Sequence, residues 1–347
     1  MYIKFMNDEN RNIYVTYWLL LITLLIGLMI IVGGLTRLTD SGLSITKWDL
    51  ISGIIPPLTT IEWNEYFSLY KEIPQYKEIN SSMTLAQFKI IYFWEYIHRL
   101  LGRLIGIIYL VPLLYFTLKK KIEVNSLKFL YIIFFLILIQ GLIGWLMVKS
   151  ALVDRVDVSH YRLSLHLTFA FIIYILVLWN YLQYSNKENS STYKKGFFNL
   201  LNLFLLLLII QISVGALVSG LDAGQIYKSW PLMSGNYFPN DSVPRDLISS
   251  NFLSIPSVVQ FLHRNLAYVI FFIFLYILII TLQNDDYKYL RKYTFFVLFF
   301  LFFQIFLGIL TILSGAQILL ASMHQIGSIL LVTSAVVLIF KNSRKTG

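Results

Sequence analysis

The chain contains no cysteine among its 347 residues, which excludes disulfides, thiolate metal sites and a cysteine nucleophile in any compartment. Charge is scarce too: 13% of residues are Asp, Glu, Lys or Arg, against 57% hydrophobic. Soluble domains carry about a quarter charged residues, so a composition this poor in charge points to lipid rather than water as the solvent. Acidic residues number 18 against 28 basic ones, for a net charge of +10. The bases do not gather on a folded aqueous face, so no nucleic-acid partner is expected. The first hydrophobic run lacks a small-residue cleavage site and is too long for a signal-peptide core. It is expected to remain as a helix, with no presequence before it.

What the chain has instead is long apolar runs. Segments able to cross about 30 Å of hydrocarbon lie near Tyr14–Leu35, Ile91–Leu118, Leu127–Val148, Ser159–Tyr184, Phe197–Ser219, Val258–Leu282, Thr294–Leu313 and Ile318–Phe340. The last two are separated only by a turn at Ser314 and Gly315. The expected fold class is an all-α integral membrane protein with eight transmembrane helices. Lysines and arginines recur in alternate loops: Lys4 and Arg11; Lys119, Lys120, Lys121 and Lys128; Lys187, Lys194 and Lys195; Lys288, Arg291 and Lys292; Lys341, Arg344 and Lys345. Short cytoplasmic loops retain positive charge, so both termini are expected on the cytoplasmic side.

An internal repeat organises these helices. At an offset of 182 residues, Val32–Leu35 matches Val214–Leu217, Asp40 matches Asp222, Gly42 matches Gly224, and Trp48 matches Trp230. Leu50, Ser52, Gly53 and Pro57 continue the match with Leu232, Ser234, Gly235 and Pro239. The register resumes at 165, pairing His98 and Arg99 with His263 and Arg264, then at 164, pairing Gln140 and Gly144 with Gln304 and Gly308. The repeat is four helices long, and an even number returns the chain to its starting side. Two parallel four-helix-bundle halves, 1–185 and 186–347, are therefore expected about an axis along the membrane normal.

Four of the 5 histidines fall into this pattern, His98 and His166 in the first half and His263 and His324 in the second. Ionisable residues inside a bilayer are costly and usually face the bundle interior. Each lies about seven residues into an even-numbered predicted helix, roughly 10 Å below the outer boundary. Placed by repetition at one depth, they read as ligands: facing imidazoles from adjacent helices grip a haem axially. The plain alternative is a structural, hydrogen-bonded histidine. Zinc is the rival metal, but it prefers closed tetrahedral sites or nearby carboxylates, and each pair offers only two imidazoles. A differently placed gap would exchange His160 for His166. His166 is preferred because it begins an apolar run as His324 does, which leaves His160 at the membrane interface.

The halves differ where chemistry would differ. Glu95 lies three residues before His98, on the same helix face, and its counterpart is Gln260. A carboxylate in an apolar site serves as proton acceptor or substrate positioner; alternatively, Glu95 simply pairs with Arg99. Arg99, Arg103 and Arg264 suit haem propionates through bidentate, charge-assisted hydrogen bonds, with protein carboxylates as the other partners open to them. A dihaem b-type cytochrome that only moves electrons, for example from quinol, would show the same histidines without needing Glu95. A transporter or haem chaperone would hold exchangeable haem without redox turnover.

At these motifs the chain resembles the haem A synthases, in their long-loop proteobacterial and mitochondrial form. The resemblance rests on GGLTRLTDSGLS at 33–44, EYIHR at 95–99, YRLSLH at 161–166 and WPLMSG at 230–235, and it covers nearly the full length. It implies oxidation of the ring methyl of haem O to a formyl, giving haem A for terminal oxidases. By the same resemblance Glu95, His98 and His166 form the catalytic substrate-haem site, and His263 and His324 hold a haem b that relays electrons. The implied partners are haem O synthase, terminal oxidase assembly, an electron donor of unknown identity and the lipid bilayer, with homo-oligomerisation left open. The implied location is the bacterial inner membrane, or alternatively the mitochondrial one. Some bacterial members carry an outer-loop cysteine pair that this chain lacks. The long outer segment from Thr36 to Lys89, with Trp48 and Trp63, is expected either to cover the haem edge or to be a plain solvated loop.

Overall fold

The computed structural model describes residues 13–47, 52–186 and 195–343. Lys4, Arg11, Trp48, Leu50, Lys187, Lys194, Arg344 and Lys345 lie outside the described residues. Apolar runs that cannot leave backbone amides unpaired in lipid become helices, and the chain is helical throughout: α1 (Ile13–Leu38), α2 (Thr60–Lys71), α3 (Pro74–Glu78), α4 (Leu85–Leu118), α5 (Val124–Asp154), α6 (His160–Ser185), α7 (Lys195–Gly220), α8 (Ala223–Ile226), α9 (Pro256–Gln283), α10 (Arg291–Leu313) and α11 (Ile318–Asn342). Among the described residues the only β-type pairing is an isolated bridge between Met233 and Asn236. Among the described residues eight helices are long and apolar enough to span a membrane, and the protein is a multi-pass membrane protein. The break between α10 and α11 is the expected tight turn, with Gly315 and Ala316 at positive φ.

Two helices run further than hydrophobicity alone predicts. α4 begins at Leu85 rather than Ile91, because Thr84 and Gln87 form a capping box, each side chain bonding the other's backbone N–H. Such a box satisfies amides that lipid would leave orphaned. α5 continues past Val148, through Lys149 and Ser150 and then Ala151, Leu152 and Val153, to Asp154. His98 is consequently the fourteenth residue of its helix, whereas His166, His263 and His324 are the seventh, eighth and seventh of theirs.

In the first half α1 packs on α4 and α6, and α5 bridges α4 and α6. In the second half α7 packs on α9, α9 on α10, α10 on α11 and α11 on α7. The halves also share a core. Leu19, Ile22, Tyr109, Phe171 and Val177 of the first half cluster with Val332, Val336 and Phe340 of α11, and α6 lies along α7. Where α1 and α7 end, Arg37 bonds Asp40, the carboxylate of Asp222 at 3.0 Å and the Ser219 carbonyl at 2.9 Å.

Among the described residues, the segment between α1 and α4 is folded rather than a solvated loop. Trp63, Phe67 and Tyr70 of α2 are buried against Phe88 and Tyr92 at the start of α4. Tyr70 donates to Gln75, Gln75 donates to the Asp40 carbonyl, and the Tyr96 hydroxyl donates to the Ile54 carbonyl at 2.6 Å. This small aromatic core holds Gly42, Leu43, Ile54 and Gln75 against the central cavity.

Candidate functional site

One cavity of about 1790 Å³ runs through both halves, and all four paired histidines line it. The walls are mostly apolar, as suits a large flat ligand with few polar groups. His98 of α4 and His166 of α6 face each other with ring centres 6.4 Å apart. Two metal–imidazole bonds of about 2 Å, plus roughly 1 Å from each nitrogen to its ring centre, span about 6 Å. The pair is thus spaced for one iron between them. His160 takes no part: as the first residue of α6 it lies outside the cavity lining, 3.1 Å from the Ser254 hydroxyl and packed on Gly220 of α7.

Each of the four rings rests on a glycine of a neighbouring helix. A Cβ built on Gly33 would come within 3.1 Å of the His98 ring, on Gly144 within 2.9 Å of His166, on Gly215 within 3.0 Å of His263, and on Gly308 within 2.9 Å of His324. Any larger residue would push the imidazole out of place. Three of the rings also meet a glutamine four residues before that glycine. The amide nitrogen of Gln140 is 3.2 Å from His166 Nδ1, that of Gln211 is 3.3 Å from His263 Nε2, and that of Gln304 is 3.4 Å from His324 Nε2. The first two also donate to the backbone carbonyl of their histidine at 3.0 Å.

The repeat register alone pairs Gln140 and Gly144 with Gln304 and Gly308 and does not show this Gln-x-x-x-Gly pattern. Setting α7 beside α5 and α10 exposes its third copy, Gln211 and Gly215. Periodicity searches look within one helix, whereas this signal marks where one helix meets the next.

Glu95 is 2% exposed and its carboxylate is tightly held. One oxygen accepts from the Ser44 hydroxyl at 2.7 Å and the Ile45 amide at 2.8 Å; the other accepts from the Arg99 guanidinium at 2.6 Å. Arg99 also donates to the Ile45 and Lys47 carbonyls. The pairing of Glu95 with Arg99 is therefore present, and it ties α4 to the segment following α1. A carboxylate has about four acceptor positions, so three donors leave it one toward the cavity it lines.

In the second half Gln260 occupies the equivalent place and donates to the Tyr227 carbonyl at 3.2 Å. With no carboxylate there, Arg264 is only 7% exposed and its three guanidinium nitrogens have no hydrogen-bond partner. Nδ1 of His263 and of His324 is likewise buried without a partner. A buried guanidinium left unpaired costs several kcal/mol, so this set of orphaned groups fits an anionic, metal-containing ligand such as a haem with its propionates. Arg103 lines the cavity one turn beyond Arg99.

Comparisons with known proteins show the family to which the chain belongs. A family model described as COX15-CtaA, cytochrome oxidase assembly protein, matches residues 16–336. The chain is similar to a protein named Heme A synthase from Pelagibacter ubique (strain HTCC1062), 48% identical over 341 residues and covering 98% of this chain and 99% of that one. It is also similar to the Heme A synthases of Flavobacterium johnsoniae, 39% identical over 337 residues (95% and 97% covered), and of Rickettsia felis, 38% identical over 329 residues (92% and 95% covered). With a family model matched over almost its whole length and relatives this alike from end to end, the chain belongs to the COX15-CtaA family of cytochrome oxidase assembly proteins.

Proposed function

We propose that the protein is a haem A synthase, a membrane oxidoreductase that converts the ring methyl of haem O to the formyl of haem A and so supplies terminal oxidase assembly. The observation that carries this reading is the facing pair His98 and His166, 6.4 Å apart, in a cavity that also holds a second, chemically different histidine pair. The first half, 1–185, holds the substrate haem through His98 and His166, with Arg103 toward a propionate. The second half, 186–347, holds haem b through His263 and His324, with the orphaned Arg264 meeting a propionate. Bound haem supplies the redox chemistry at its iron.

The residues of the chain provide the setting. Glu95 has one acceptor position left for a proton released at the oxidised carbon, and Arg99, Ser44 and Ile45 fix its orientation. The outer aromatic core around Trp63 and Tyr70 roofs the first half and restricts water there. Both termini lie on the cytoplasmic side of a bacterial inner membrane, an orientation that the alternation of lysines and arginines supports. Haem O arrives from haem O synthase, and an electron donor serves the haem b half.

The test is acid extraction of the purified protein followed by chromatography of its haems. Haem b together with haem O, a hydroxylated intermediate or haem A is expected. Haem b alone, at two per chain, would overturn the synthase reading in favour of an electron-transfer cytochrome.

A further inference from the structure

The two halves build the side wall of the cavity differently. Between α4 and α5 Gly106 and Gly141 line the cavity, and a Cβ built on either would meet nothing within 4 Å. Ile107 of α4 and Leu138 and Leu142 of α5 line the same cavity and are also exposed. Apolar side chains exposed on a spanning helix face lipid, so the cavity opens sideways toward the bilayer at this seam. In the second half the repeat places Phe271 at the position of Gly106, Ile305 at that of Gly141 and Phe302 at that of Leu138. Phe302 is exposed as well, but its ring meets that of Phe271 edge-on with centres 5.6 Å apart, joining α10 to α9.

The first-half opening has a definite length. It begins at His98, and its inner end is closed by Tyr109 of α4 and Phe134 of α5, whose rings stack with centres 6.0 Å apart. The Tyr109 hydroxyl donates to the Leu130 carbonyl at 2.9 Å and fixes that floor. From His98 to Tyr109 the helix rises about 16 Å, with Ile107, Leu110, Ile137 and Leu138 along the way.

Two facing imidazoles hold a haem by its iron and leave the porphyrin free to turn in its own plane. Haem O differs from haem b in one substituent, a long hydroxyethylfarnesyl chain in place of a vinyl group. Such a chain needs an apolar slot continuous with the porphyrin site, and a seam filled by rings rejects it.

We propose that the slot between α4 and α5, open at Gly106 and Gly141, receives the farnesyl chain of the substrate haem, and that Phe271, Phe302 and Ile305 close the equivalent seam against it. This rests on the haem A synthase reading above. Seating the chain fixes the rotation of the porphyrin between His98 and His166, and with it which ring methyl lies toward Glu95. It also sorts the two haems, the tailed one to the first half and the untailed one to the second.

The experiment takes the full-length protein from cells that make no haem O, equilibrates it in detergent with an equal mixture of haem O and haem b, removes unbound haem and counts the bound haems by acid extraction and chromatography. One haem O and one haem b per chain are expected. Filling the slot with the second-half residues, Gly106→Phe with Leu138→Phe, should lower the ratio of bound haem O to haem b about tenfold or more while total haem stays the same. Gly141→Ile alone should act in the same direction and less. Because an added Cβ at Gly106 or Gly141 meets no neighbour, these variants displace no packed side chain. Opening the other seam with Phe271→Gly, Phe302→Leu and Ile305→Gly should let haem O enter the second half and raise its count. An unaltered ratio in the slot-filling or the seam-opening variant would overturn the proposal alone. So would a loss of total haem on filling the slot, which would place the new rings against the porphyrin rather than the chain. A native protein that binds haem b in both halves and never haem O would overturn the synthase reading itself, and the proposal with it.

Discussion

The two halves latch the same segment to the same helix with opposite polarity. In the first, Glu95 accepts from the backbone amide of Ile45; in the second, Gln260 donates to the backbone carbonyl of Tyr227, the residue equivalent to Ile45. The consequence falls on the arginine one turn away. Arg99 is neutralised by Glu95 at 2.6 Å, while Arg264 is left buried without a partner. One acid-to-amide difference thus decides whether a cavity presents a carboxylate or a free guanidinium.

The largest expected effect removes one site outright. His263→Ala should lose the second-half haem, one per chain by chromatographic quantitation, and leave the substrate haem in place; loss of the substrate haem alone would reverse the assignment of the halves. Next comes Glu95→Gln, which gives both halves an amide. It should abolish haem A formation and destabilise the protein by about 3 kcal/mol, since breaking the buried pair removes the carboxylate that neutralises Arg99. Thermal unfolding in detergent and haem analysis of membranes measure the two effects, and undiminished haem A would defeat the catalytic role of Glu95.

The reciprocal change, Gln260→Glu, should give Arg264 a carboxylate partner and withdraw it from the haem. A fall of about tenfold in second-half haem affinity is expected, or about 1.4 kcal/mol, measured by haem titration. Smallest is Ser44→Ala, which removes one of three donors to Glu95 and should cost about 1 kcal/mol in the same unfolding assay, with haem content unchanged.

Much of this comparison is legible without coordinates. The eight spans were read from apolar length, and the pairing of Glu95 with Gln260 and of Arg99 with Arg264 followed from the repeat. The start of α4 was missed because hydrophobicity ends near Ile91, whereas the Thr84 capping box that begins the helix is made of polar side chains. The outer segment could not be judged either way, because the burial of Trp63 and Tyr70 depends on Phe88 and Tyr92 arriving from α4. The competition between Arg99 as an ion-pair partner and as a propionate ligand stayed open for the same reason. Both uses need a guanidinium at that position, and only the placement of Ser44, Ile45 and Glu95 around it shows that the ion pair is formed.

The sequence by itself determined that this is an eight-helix membrane protein with duplicated histidines, because lipid forces backbone amides to pair within each apolar stretch and so makes local composition decisive. Which side chains meet was decided only by the tertiary structure. The glycine beneath each imidazole, the glutamine beside three of them and the unpartnered Arg264 all depend on how neighbouring helices are rotated and set against each other. That is settled by packing summed over many residues distant in sequence, and no single stretch of the chain encodes it.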